Sequence, residues 1–168
     1  MYPLALVPDD LTVPRLATQR FTLERLEPKH LEEDFAAIVA TGGALDGTMA
    51  PPGALGDIAA FTIEDDLTEL HWHLREFRRR SSFAFIAIET ESGRSLGCVY
   101  INPTDRSGFD AEVTAWGRLL EGEPTWDGEF FAQIRAWVVT QWPFENPAFP
   151  GRQIPWREWS EMARKPRM

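Results

Sequence analysis

The stretch FAFIAIETESGRSLGCVYINP, Phe83 to Pro103, decides the fold class. SFAFIAIE (82–89) and SLGCVYIN (95–102) read as strands, and TESGR between them reads as a tight turn. That spacing, with a Ser-Gly step in the turn, makes an antiparallel hairpin. Pro103 to Gly108 is a second turn, and FDAEVTAWGRL (109–119) is a third strand, alternating around Ala111, Val113 and Ala115. The hairpin is therefore part of an antiparallel meander.

Helices flank the meander. Upstream, Ile63, Leu67, Leu70, Leu74 and Phe77 form one apolar stripe. Thr62 is its expected N-cap, with Glu64, Asp65 and Asp66 in the first turn, and the helix is expected to stop near Arg80. Downstream, Asp127 to Trp142 returns to helical spacing through Phe130, Phe131, Ile134, Trp137 and Val138. RFTLERL (20–26) reads as an opening strand, and Pro28 starts a helix carrying Leu31, Phe35 and Ile38 through Ala40. TGGALDGTMAPPGALGD (41–57) is a loop of the length used for binding or lid segments as well as for plain linkers. WPFENPAFPGRQIPW (142–156) is proline-broken and has room for at most a short edge strand.

The order predicts an α+β fold, a mostly antiparallel mixed sheet flanked by helices. Residues 1–18 read as an extended lead-in and 19–168 as one domain with a short aromatic, proline-rich tail. A chain of 168 residues with 43% hydrophobic residues has enough material for one real core.

Charge and cysteine content exclude several roles. A net charge of −9 argues against nucleic acid, whose binding needs clustered Lys and Arg. The exception, Arg75, Arg78, Arg79 and Arg80, complements the negative end of a helix. The basic tail from Arg152 to Arg167 is positioned to fold back onto the acidic body. No apolar run approaches the ~20 residues of a membrane span, and the single Cys98 suits a reducing compartment, so a cytoplasmic location is expected. Cys98 reads as a buried structural thiol. His71 and His73 project to different sides of their helix, His30 is isolated, and no metal site is expected.

The order and wording of these segments resemble the GNAT acetyltransferase superfamily over roughly 19–144. RFTLERLEPKHLEEDFAAI is similar to its opening strand and first helix, FAFIAIETESGRSLGCVYINP to its second and third strands, and AEVTAWGR to its fourth. The resemblance implies that the fourth and fifth strands part to hold the pantetheine arm of acetyl-CoA. Its pyrophosphate would then lie on a Gln/Arg-x-x-Gly-x-Gly/Ala loop at the start of the third helix, where backbone N–H groups and the helix end favour an anion. On that alignment the cofactor contacts fall at Val113, Trp116, Gly117, Arg118, Gly122 and Gly128, and Glu112 is the candidate general base toward an amine substrate. Acidic residues in 41–57 and the second helix would favour a cationic amine.

The chain departs from the family where it matters most. Arg118-Leu119-Leu120-Glu121-Gly122-Glu123 has its glycine one position late and a glutamate where a small residue belongs. Carboxylates beside a pyrophosphate repel it, and Asp127 is placed to cap the helix in the anion's stead. Gly122 and Gly128 then read as turn and helix-start residues rather than a phosphate cradle. Neither Tyr2 nor Tyr100 stands where the family places its proton-donating tyrosine. Two readings stay open: an N-acetyltransferase using acetyl-CoA, and a GNAT-like scaffold that binds a ligand or a protein without catalysis. Trp126, Trp137, Trp142, Phe144, Phe149, Trp156 and Trp159 either close the core or form a homodimer face.

Overall fold

A computed structural model describes residues 5–166. Tyr2, the start of the lead-in and Arg167 lie outside the described residues. The chain runs β1 (Phe21–Arg25), α1 (Leu31–Thr41), α2 (Ile63–Arg79), β2 (Phe83–Glu89), β3 (Ser95–Asn102), β4 (Ala111–Gly117), α3 (Trp126–Gln141), β5 (Pro147–Ala148) and α4 (Trp156–Glu161). Short 3-10 turns at Pro28–His30, Gly42–Leu45 and Ile58–Ala60 punctuate the first half.

The strands lie in the order β1-β2-β3-β4-β5, forming one five-stranded sheet. The first four are antiparallel neighbours, and β5 runs parallel to β4. This is the α+β mixed sheet expected from the sequence. Alternation sends each strand's side chains to two helix layers. Ala84, Ile86, Cys98 and Trp116 face α1 and α2, with Ala37 and Leu70. Phe85, Val99, Val113 and Ala115 face α3, with Trp126, Phe130 and Ile134. Each fully buried Phe, Ile or Val stabilises the fold by roughly 1.5–3 kcal/mol.

Helix α2 has the expected start. The Thr62 side chain accepts from the Asp65 N–H at 3.1 Å, and Asp65 accepts from the Thr62 N–H at 2.9 Å, a reciprocal capping box. Its end is Arg80, left-handed at φ 59. Arg80 Nη2 donates to the carbonyls of Pro8 at 2.6 Å and Leu11 at 2.8 Å, so the cation at the helix end ties down the N-terminal segment. The Trp137 indole donates to Arg15 O at 3.0 Å, and Val7 is buried in the core.

Two glycines bring β4 close to its neighbours. Gly97 has φ 142, and a Cβ there would meet the Trp116 carbonyl oxygen at 2.1 Å. A Cβ on Gly117 would meet the Asp127 Cα at 2.8 Å, so the end of β4 packs directly on the start of α3.

The aromatic tail fills the core. Trp126, Trp137, Trp142, Phe149 and Trp159 are buried within the single chain, and Phe144 and Trp156 are half-buried. The tail also forms the short helix α4, which the prolines hid in the sequence. Its basic residues do fold back: Arg164 pairs with Asp105 at 3.3 Å, and Lys165 donates to Thr104 O at 3.0 Å.

Candidate functional site

The β4–β5 ladder is short. It pairs Ala111 with Pro147 and Glu112 with Ala148, and from there to Gly117 β4 has β3 on one side and no strand on the other. The gap is filled by side chains. Arg152 Nη2 donates to the Ala115 carbonyl at 2.7 Å and to Asp127 Oδ1 at 2.8 Å, while its Nη1 donates to Asp127 Oδ2 at 2.7 Å. The same Oδ1 accepts the Gly117 N–H at 2.8 Å. A forked guanidinium–carboxylate pair thus spans the open edge of β4, with the guanidinium 5.0 Å above the Phe131 ring. Burial acts to raise the Asp127 carboxyl, but the hydrogen bonds from Arg152 and Gly117 outweigh it and hold the group below the ordinary carboxylate range.

The structure corrects the expected role of Asp127. Helix α3 begins one residue earlier, at Trp126, with Thr125 as N-cap and no side-chain cap. Asp127 therefore lies inside the first turn and reaches across to β4.

Of the expected cofactor contacts, Trp116, Gly117 and Arg118 line one small pocket of about 100 Å³ with Asp127, and the others stand apart from it. Val113 is buried on the α3 face and Trp116 on the opposite face. Arg118 turns back to β3, its N–H donating to Leu96 O at 2.8 Å and its Nη1 to Ser95 O at 3.2 Å. Gly122 is a turn residue at φ 74, and Gly128 lies within α3 with open space around it. The acidic loop does not present all its charge to solvent: Glu123 pairs with Arg20 at 2.7 Å, and that guanidinium lies 4.4 Å from the Trp126 ring centre.

On the other face, β4 alternation presents Glu112 and Thr114 beside Trp116. Glu112 is half-buried in a pocket of about 540 Å³ with Trp72, His73, Tyr100 and Trp156. Burial pushes its carboxyl up, against a hydrogen bond from Thr104. A second pocket of about 370 Å³ adjoins the first at Met49, Glu69 and Tyr100, and extends to Asp57, Asp65 and Phe61. Burial also raises Glu69, helped by the charges of Asp34 and Asp65. Burial pushes His73 down to about 4, and its ring lies 5.2 Å from that of Tyr100.

Beneath the pockets lies a polar core that sequence reasoning missed. The buried Cys98 thiol donates to Asp34 Oδ1 at 3.1 Å, and the Trp116 indole donates to the Tyr100 hydroxyl at 3.4 Å. Asp34 faces Asp66, whose carboxyl burial and the Asp34 charge push up to about 8. Nothing in Glu32-Glu33-Asp34 singles out the buried member except its place three residues before Ala37, on the same helix face.

No protein-family model matches the chain. No curated protein matches it either. Solved structures do. A ribosomal-protein-S5-alanine acetyltransferase from Vibrio fischeri is similar at a TM-score of 0.56 with 11% identity, over 75% of this chain and 67% of that one. FdhC, a nucleotide-linked sugar GNAT, is similar at 0.57 with 11% identity, over 81% and 71%. RimL, the ribosomal L7/L12 alpha-N-protein acetyltransferase solved in complex with coenzyme A, is similar at 0.55 with 8% identity, over 75% and 68%. The architecture built from the hairpin outward, with its short parallel β4–β5 step, is the fold of the GNAT acetyltransferases.

Proposed function

We infer that the chain is an N-acetyltransferase acting on a small cationic amine. The observation that carries this reading is the placement of Glu112. It stands at the last rung of the β4–β5 ladder, where the strands part, and its side chain opens into the larger pocket. Acetyl-CoA would supply the acetyl group as a thioester. The chain's own residues would handle the acceptor. Asp57, Asp65 and Glu69 attract a cation, and the Phe61, Tyr100, Trp72 and Trp156 rings pack its apolar part away from water. Glu112, with its carboxyl raised by burial, takes the proton that an ammonium must lose before its nitrogen becomes a nucleophile.

The cofactor cleft does not fit a pyrophosphate as its side chains stand. The Gly117 N–H is spent on Asp127, and that carboxylate occupies the start of α3. This observation favours the second reading, a GNAT-fold module that binds a ligand in the pockets without catalysis. Calorimetric titration with acetyl-CoA, followed by a coenzyme A release assay over a panel of amines, separates the two. Binding and amine-dependent release support the enzyme. No binding at millimolar acetyl-CoA leaves the non-catalytic module.

A further inference from the structure

The strap Phe149–Trp156 is fastened at its middle and at its end. At its middle Arg152 grips the Ala115 carbonyl and the Asp127 carboxylate. At its end the Trp156 indole donates to Gly47 O at 2.6 Å, in the long loop that borders the pockets. Around Arg152 the strap makes its own turn, with the Gly151 N–H donating to Ile154 O at 2.8 Å and the Gln153 N–H to Phe149 O at 2.9 Å. Gly151, at φ 79, lies so close under the Trp156 ring that a Cβ would meet it at 2.6 Å. Arg152 therefore takes the position beside Ala115 that a neighbouring strand or a ligand would otherwise fill, and Asp127, which it holds, takes the Gly117 N–H.

The grip at Arg152 is strong but incomplete. Arg152 Nε is buried and has no acceptor among the described residues. A buried donor without a partner costs free energy that release into water recovers. The guanidinium thus holds Asp127 and Ala115 through two nitrogens while its third donor stays unpaired.

We propose that the Asp127–Arg152 pair is an autoinhibitory latch, and that the cofactor cleft along β4 opens only when Arg152 and its strap leave the Ala115 carbonyl. This rests on the acetyltransferase reading above. Binding then competes with an internal contact, and the apparent affinity for acetyl-CoA falls by the fraction of molecules that are open. Simple repulsion by Asp127 makes a different prediction for the arginine. Without a latch, Arg152 neutralises the carboxylate, so losing it would weaken binding of an anion.

The test is acetyl-CoA affinity, by calorimetry in one buffer, for the wild type and for Arg152→Gln. The latch predicts that Arg152→Gln tightens binding by about tenfold, as expected if closed molecules outnumber open ones by about ten to one. Unchanged or weaker binding in the variant, with the wild type still binding, overturns the latch and leaves the acetyltransferase reading intact. Absence of binding in both proteins at millimolar acetyl-CoA overturns both. Should the variant not fold, hydrogen exchange on the wild type gives the answer. Saturating acetyl-CoA should speed exchange of the Gly151 and Gln153 amides, and unchanged or slower exchange there overturns the latch.

Discussion

The Cys98 thiol donates its proton to Asp34 at 3.1 Å, fastening the middle of β3 to the first turn of α1. Both groups are buried. Burial pushes the thiol well above its ordinary value, and the Asp34 charge pushes it further. A thiolate is the reactive species, so Cys98 should be inert in the native protein. A disulfide-exchange reagent is expected to label it only as fast as the protein unfolds, and at full speed in guanidinium. Labelling of the native protein at the rate of a free cysteine would refute this.

The same cluster gives stability a pH dependence with a definite sign. Asp66 keeps its proton to about pH 8 in the folded state, whereas an unfolded aspartate loses it near 3.9. Between those values the folded chain binds more protons, so stability from this group falls as pH rises and levels off above about 8. His73, held down to about 4 by burial, works the other way between there and roughly 6.5. The Asp66 effect is therefore cleanest between about pH 6.5 and 8. Denaturant midpoints measured across that window should fall for the wild type and fall less steeply for Asp66→Asn, where the raised Asp34, Glu69 and Glu112 carboxyls remain. Equal slopes for the two proteins would remove Asp66 from the account.

Gly97 and Gly128 make a matched pair. Gly97→Ala places a Cβ against the Trp116 carbonyl at 2.1 Å, in a backbone region that alanine rarely adopts. A loss of about 3 kcal/mol or more is expected, since the β3–β4 pairing must shift to relieve it. Gly128→Ala adds a methyl in open space inside α3 and should stabilise by about 0.5–1 kcal/mol. Thermal unfolding of the two variants checks both signs.

How legible this protein is depends on the range over which each feature is determined. The hairpin, the meander and α2 follow from local alternation and capping, which neighbouring residues carry themselves. Strand β5 is two residues long and exists only because it lies beside β4, and α4 forms among prolines because Trp159 finds a buried place. The site divides in the same way. Glu112 was visible as a carboxylate on an alternating strand. Asp127 was visible as a carboxylate near a helix start, but its partner Arg152 lies 25 residues away and was read only as part of a basic tail. Asp34 and Asp66 look like ordinary first-turn acids of α1 and α2, and only the packing of the two helices makes them face each other.

Glu112 offers the sharpest functional prediction. If it is the base, it acts in its ionised form, and burial has moved its titration upward from the ordinary glutamate range. The rate at low substrate should then rise with pH through that titration, as the carboxyl loses its proton and becomes able to accept one. Glu112→Gln keeps the shape and the hydrogen bonding but cannot accept the proton, so kcat/KM should drop by about 10²–10⁴. The decisive readout is the shape of the profile. The ascending limb assigned to Glu112 should disappear in Glu112→Gln, with acetyl-CoA affinity little changed, because the side chain opens into the acceptor pocket rather than the β4 edge held by Arg152. A variant that loses rate but keeps the limb would make Glu112 a wall of the pocket and move the search for the base to Glu69. That carboxyl is also raised by burial and borders both pockets.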